Sequence, residues 1–298
     1  MAEWRAILMA GGSGSRLAPL TRSVNKHLLP IYDKPMIYFP LTTLMLGGLR
    51  DFILVTSPQH VDQFRALLGD GSHLGVSISY KEQERPAGIA ECFRLCQSEL
   101  EGKNVALMLG DNILYGAGLT TLVQRGLARQ RGATIYGYEV TDPSAFGVVT
   151  LDRDGKAIAL HEKPKAPTSR LAVPGLYFYD ARVIEIANKL RPSARGELEI
   201  TDINSAYLEM GELYVEPIGR GIAWLDGGTI DDLFEAGLFV RVLEQRTGLR
   251  IACPEEVALR KGFISASQLR TVLEASPSSS YRDYLLNLIN SMPEGERR

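Results

Sequence analysis

Five short apolar runs punctuate the first half of this 298-residue chain, at Ala6–Ala10, Phe52–Thr56, Val76–Tyr80, Val105–Leu109 and Ala133–Tyr138. Each has the length and composition of a buried strand. Helical stretches lie between them. One is expected from near Pro35, which suits a first helical position, to Gly47-Gly48, with Pro40 predicting a kink or a late start. Others run from about Val61 to Leu68 and from Leu119 to Arg129. Alternation at this spacing leaves few solutions. The expected fold is α/β: a Rossmann-like, mostly parallel, twisted sheet flanked by helices on both faces. Ligands of such sheets bind at the carboxyl ends of the strands.

Further along, the pattern changes. Gly147–Leu151, Ala157–His161 and Leu176–Tyr179 read as strands, the first two around the turn Asp152-Arg153-Asp154-Gly155. This predicts a small β-rich part. After about residue 230 the chain reads as helical, at Asp231–Leu243, Ala266–Glu274 and Tyr281–Ile289. Gly196-Glu197-Leu198-Glu199-Ile200-Thr201-Asp202 looks like a helix cap. No linker or repeat divides the sequence. Residues 1–298 are therefore expected to form a single domain, with a core over about 1–230 and a helical C-terminal part over about 231–298. Pro293 to Arg298 reads as a frayed tail.

The first strand runs into Ala10-Gly11-Gly12-Ser13-Gly14-Ser15-Arg16, on the expected binding edge. Bare glycine backbone lets N–H groups approach phosphates, and Arg16 adds a permanent charge and a planar donor fork. The spacing lacks the third glycine of a dinucleotide fold and the Gly-Lys-Ser/Thr of a P-loop. Taken alone, the loop is equally a tight turn with a surface arginine. Composition narrows the partners. A net charge of −2 gives no footprint for nucleic acid. No apolar run approaches membrane-spanning length, and no signal-peptide pattern opens the chain. Cys92, Cys96 and Cys253 make no disulfide framework and read as buried thiols, so a reducing cytoplasm is expected.

Other segments converge on the same edge. Lys26, ten residues beyond Arg16, supplies a second cation for a triphosphate and a departing pyrophosphate. Leu109-Gly110-Asp111 and Leu225-Asp226-Gly227 end apolar segments in aspartate, where a Mg²⁺ ligand would sit. Each aspartate alone is equally a turn or cap residue. In His161-Glu162-Lys163-Pro164, Glu162 can accept sugar hydroxyls and Lys163 can hold a phosphate.

These segments resemble the sugar-1-phosphate nucleotidylyltransferases, most closely the bacterial glucose-1-phosphate thymidylyltransferases. The resemblance runs from Ile7 to about Leu285 through Ala10–Arg16, Leu28–Pro40 (LLPIYDKPMIYFP), Leu67–Gly71, Leu109–Asn112, Glu162–Pro164, Gly175–Asp180, Ser193–Asp202 and Ala223–Thr229. It implies that Gly11, Gly12, Ser13 and Gly14 wrap the nucleotide while Arg16 and Lys26 grip its phosphates. It implies that Gln83 and Gly88 read a pyrimidine and that Asp111 and Asp226 hold Mg²⁺. Asn112, Gly147, Glu162, Val173 and Trp224 would line the sugar pocket, with Lys163 on the sugar phosphate. The implied reaction joins a sugar 1-phosphate, glucose 1-phosphate first, to the nucleotidyl group of dTTP. The same chemistry with UTP or another sugar phosphate is the alternative, and a non-catalytic nucleotide-sugar sensor a further one. All four of Arg16, Lys26, Asp111 and Asp226 are present, which speaks against the sensor. A homotetramer is implied. The chain departs from these relatives at His27 and Glu91 (usually Gln), Ala87 (Asp), Gly227 (Thr) and His161 (an acid), so nucleobase preference stays open.

Overall fold

A computed structural model describes residues 3–12 and 14–293. Strand β1 (Trp4–Met9) leads through short 3-10 turns into a tight hairpin, β2 (Pro30–Ile31) and β3 (Lys34–Pro35), and then helix α1 (Tyr38–Gly47). The helix takes the late start, because Pro35 pairs in the hairpin. Pro40 falls in its first turn, where a missing N–H leaves no intrahelical bond unmade. Next come β4 (Asp51–Thr56), α2 (Val61–Leu68), β5 (Ser77–Glu82), α3 (Glu91–Leu95), α4 (Gln97–Leu100) and β6 (Asn104–Leu109). Strands β5, β4, β1 and β6 lie side by side and parallel. All four carboxyl ends therefore open on one edge.

The second half makes the sheet mixed. β7 (Asn112–Gly116), α5 (Leu119–Ala128), β8 (Ala133–Glu139), β9 (Gly147–Leu151), β10 (Ala157–Glu162), β11 (Leu171–Ala172) and β12 (Leu176–Tyr179) follow in turn. β12 enters antiparallel between β6 and β8, and β9–β11 extend that side. The β9–β10 turn forms as its sequence predicts. The Asp152 carboxylate accepts the N–H groups of Asp154 and Lys156, each at 2.9 Å. Helices α6 (Val183–Lys189) and α7 (Ile200–Glu209) then precede β13 (Leu213–Pro217), parallel to β8, and β14 (Ile222–Asp226), antiparallel to β7 in a separate two-stranded pair. The chain closes with α8 (Ile230–Thr247), α9 (Pro254–Arg260), α10 (Ala266–Glu274) and α11 (Ser280–Ser291). Capping boxes at Thr229/Asp232 and Ser265/Gln268 start α8 and α10. The cap expected in Gly196–Asp202 is absent. Glu199 precedes α7 but bonds none of its N–H groups, because Ser193 and Arg195 hold its carboxylate.

Side chains alternate across the strands, and the two faces build two cores. Leu8, Leu54 and Met108 pack with α1, α2 and α5 and with Leu259, Leu269, Leu285 and Ile289 of the C-terminal helices. Ile7, Ile53 and Leu107 pack on the other face with Cys92, Phe93, Ile203 and Tyr207. A third cluster, Ile31, Met36, Phe39, Ile113 and Val240, seats α8 on the hairpin. All three cysteines are buried and unpaired. Among the described residues, no helix is long and apolar enough to cross a membrane. Of the expected tail, residues 294–298 lie outside the described residues.

Candidate active site

The glycine loop leaves β1 at the carboxyl edge and is pinned at its root. The Ala10 carbonyl accepts from Asn25 Nδ2 at 3.1 Å and Thr56 Oγ1 at 3.0 Å. Asn25 also caps the 3-10 turn Lys26–Leu28 by accepting the His27 N–H. That turn aims Lys26 at the end of β6, where its Nζ lies 2.6 Å from Asp111 Oδ2. The second acid arrives on β14, whose register with β7 sets Asp226 opposite Asn112. The Gly227 N–H then donates to the Asp111 carbonyl at 3.1 Å. Four segments distant in sequence thus meet at one point.

The two aspartates differ electrostatically. Burial works against ionisation of Asp111, but the Lys26 ammonium and a hydrogen bond from Asn112 outweigh it and lower its pKa to about 2. Asp226 is pushed up by burial and then by the neighbouring carboxylates of Asp232 and Asp111. His27, near Asp111, is held at about 4 chiefly by burial, so its ring is neutral at pH 7. Asn25 Oδ1 can only accept, so the His27 nitrogen 2.8 Å away, Nδ1, carries the proton. Asp111, Asp226 and the nearby Asp232 outnumber Lys26 and Arg16, the cations that offset them. That donor set suits a hard divalent cation that completes its shell with water and substrate phosphate oxygens. Among the described residues no group of three or more His, Cys, Asp or Glu forms a closed protein cage.

Two cavities flank Asp111. The larger, about 210 Å³, is lined by Gly11, Gly12, His27, Gln83, Gly88 and Asp111 among others. Gly11 leaves room for the Gln83 amide, since a Cβ would stand 2.7 Å from Gln83 Oε1 and push it aside. Gly88 has φ +103°, and a Cβ there would meet the Leu198 carbonyl at 2.3 Å. The smaller cavity, about 160 Å³, brings together Arg16, Asp111, Asn112, Gly147, Glu162, Lys163, Val173, Trp224 and Asp226. Lys163 reaches it through a left-handed backbone conformation, φ +43°. Gly14 lines neither cavity; its carbonyl accepts from Thr21 Oγ1. Ser13 lies outside the described residues.

Within the smaller cavity, much of the polar capacity is already engaged. Asn112 Nδ2 donates to Asp111 Oδ1 at 2.9 Å, and its Oδ1 accepts from Gly175 N and Trp224 Nε1. Asn112 therefore fixes both the metal-side acid and the indole, which packs on Phe146 and Tyr138. Glu162 is aimed by Thr201 Oγ1, 2.5 Å from its Oε2, and by Arg195 3.6 Å from its Oε1. Sequence reasoning missed Thr201 and Arg195 as site residues. Thr201 falls within the Gly196–Asp202 stretch that looks like a helix cap, and Arg195 lies just before it, inside the Ser193–Asp202 segment of the resemblance. At Gly227, a side chain would displace the Met36 methyl, 2.4 Å from a Cβ position. A wider surface cavity, about 790 Å³, lies elsewhere, beside Arg94 and Arg182. Both arginines there are engaged, Arg94 by the Ala187 and Leu190 carbonyls at the end of α6 and Arg182 by Asp180 and Glu212.

Comparison with known proteins identifies the family. A family model described as nucleotidyl transferase covers residues 5–242. A glucose-1-phosphate thymidylyltransferase of Mycolicibacterium smegmatis is 52% identical over 96% of this chain and 99% of its own length. One from Xanthomonas campestris is 48% identical over 97% and 98%. Among solved structures, a provisional glucose-1-phosphate thymidylyltransferase from Bacillus anthracis, in complex with a sucrose, superposes with TM-score 0.74 at 38% identity, covering 80% of this chain and 95% of that one. A UDP-glucose pyrophosphorylase complexed with UDP-glucose shares the fold alone, with TM-score 0.71 at 21% identity, over 82% and 100%. The chain belongs to the nucleotidyl transferase family.

Proposed function

We propose that the chain transfers a thymidylyl group from dTTP to glucose 1-phosphate, giving dTDP-glucose and pyrophosphate. The observation that carries this reading is Asp111, which lines both cavities and stands beside a second carboxylate and a lysine. A glycine loop bounds one cavity; a hydrogen-bonded glutamate and an indole bound the other. The relatives at 48–52% identity over nearly the whole chain support the same substrates.

Both reactants are anions, so their repulsion is the first barrier. A sugar-phosphate oxygen attacks the α-phosphorus in line, and the α–β bridging bond breaks with its electron pair leaving on pyrophosphate. That oxygen is already ionised near neutral pH, so no general base is required. Arg16 and Lys26 offset charge on the triphosphate, and Lys163 holds the sugar phosphate. Glu162 and the Trp224 face orient the sugar, which brings the reacting oxygen to phosphorus. Family members generally use a divalent metal. We assign Mg²⁺ to Asp111 and Asp226, where it would neutralise phosphate oxygens in the transition state.

In this reading residues 1–298 act as one nucleotidyltransferase domain, with the C-terminal helices sharing the sheet's core. Unpaired buried thiols fit a cytoplasmic setting. A homotetramer is in keeping with Ile230, Phe234, Leu238 and Val242, exposed at four-residue spacing along α8. The test of function is pyrophosphate release across a panel of nucleotides and sugar 1-phosphates. dTTP with glucose 1-phosphate is expected among the best pairs, and its ranking among the poorest would overturn the assignment.

A further inference from the structure

The Gln83 side chain is 3% exposed and borders the cavity beside the glycine loop. Its amide nitrogen has two protein partners, Glu91 Oε2 at 2.6 Å and the Gly88 carbonyl at 3.2 Å. A carbonyl can only accept a hydrogen bond, and so can a carboxylate. The atom facing both must therefore be the NH2 group, which fixes the flip of the amide by chemistry. Oε1 is left on the other side, against Gly11. An incoming base then meets an acceptor and no donor.

We propose that Glu91 is a positioning residue for base selection: by holding the Gln83 NH2, it makes Gln83 Oε1 a reader of a ring N–H. This rests on the reading that the cavity beside the glycine loop receives the nucleoside. Thymine and uracil carry that N–H at N3. Cytosine presents a lone pair there, so two acceptors would face each other. A glutamine at position 91 would loosen the constraint, because a second amide can donate to or accept from Gln83, leaving the longer contact to the Gly88 carbonyl to favour the NH2 on that side. Glu91 is thus one residue by which this chain tightens a choice that an amide alone leaves two-sided.

The experiment is calorimetric titration of the full chain with dTTP and dCTP, with Mg²⁺ present and no sugar phosphate. For the unaltered chain, dTTP is expected to bind roughly 10–100-fold more tightly than dCTP, the cost of one mismatched buried hydrogen bond. In Glu91→Gln and Glu91→Ala that preference is expected to shrink about tenfold. A merely structural Glu91 would weaken both nucleotides alike and keep their ratio. An unchanged ratio, within twofold, in both variants with native melting midpoints overturns the proposal. Absence of turnover with dTTP and glucose 1-phosphate would overturn the proposed function, while the binding ratio would still decide the role of Glu91.

Discussion

Strands β6 and β12 run antiparallel, and an aspartate stands just beyond the carboxyl end of each, so the two lie at opposite edges of one sheet. Asp180, beyond β12, is saturated. Its carboxylate accepts from Gly132 N at 2.7 Å, from Tyr207 Oη at 2.8 Å and from the Arg182 backbone and guanidinium. Burial opposes its ionisation, yet these partners outweigh it and lower its pKa. At the other edge Asp111 is paired with Lys26, and the pKa of Asp226 is raised by burial and then by neighbours of its own sign. The comparison separates two uses of a buried acid. One is neutralised by the fold and holds it together. The other is left short of positive charge, which the fold tolerates because ligands supply it.

The sharpest way to break this contrast is Asp226→Asn. Turnover is expected to fall about a thousandfold, while the melting midpoint holds or rises because a like charge has gone. Pyrophosphate release and calorimetry check it, and unaltered turnover would remove Asp226 from the machinery. Lys26→Ala should cost turnover about 10²–10³-fold. It should also move Asp111 up from about 2, readable by carboxyl NMR titration. Thr201→Val strips the hydroxyl that aims Glu162. The KM for glucose 1-phosphate should rise about tenfold with the KM for dTTP unmoved.

Asp180→Asn should leave turnover nearly unchanged but lower unfolding free energy by about 2–3 kcal/mol. The sign with pH follows from its lowered folded pKa. The contribution is complete above the ordinary aspartate pKa of about 4 and fades as pH drops through the lower folded value. Denaturant titrations should therefore converge for the two proteins in acid.

The strands of the first half were legible because each is a continuous apolar run bounded by turn residues. Ala6–Ala10 and Val105–Leu109 match β1 and β6 to within two residues. Helices α3, α4, α6 and α9 are not legible in the sequence. Their four to seven residues are too few to display a period. The mixed sheet was also out of reach, since nothing local to Leu176–Tyr179 says that it runs antiparallel to β6. In the site, glycines and strand-end acids were visible because their chemistry is local. The partners that aim them were not. Thr201 lies 39 residues from Glu162, and Trp224 lies 112 from Asn112. Glu91 stood out as a departure, but only the geometry around Gln83 gives that departure a chemical meaning.

The short ladder between β7 and β14 lies off the main sheet, yet it measures out the distance between the two acids. Five residue pairs, from Ile222↔Gly116 to Asp226↔Asn112, set where Asp226 stops. Side chains on a strand alternate faces, so a single inserted or deleted residue in either strand would turn Asp226 away from Asp111. Neither acid would be altered, the glycine loop would be intact, and the main sheet would keep its register. The molecule would still be folded and would still carry each of its charges, having lost only the ruler that sets them at one address.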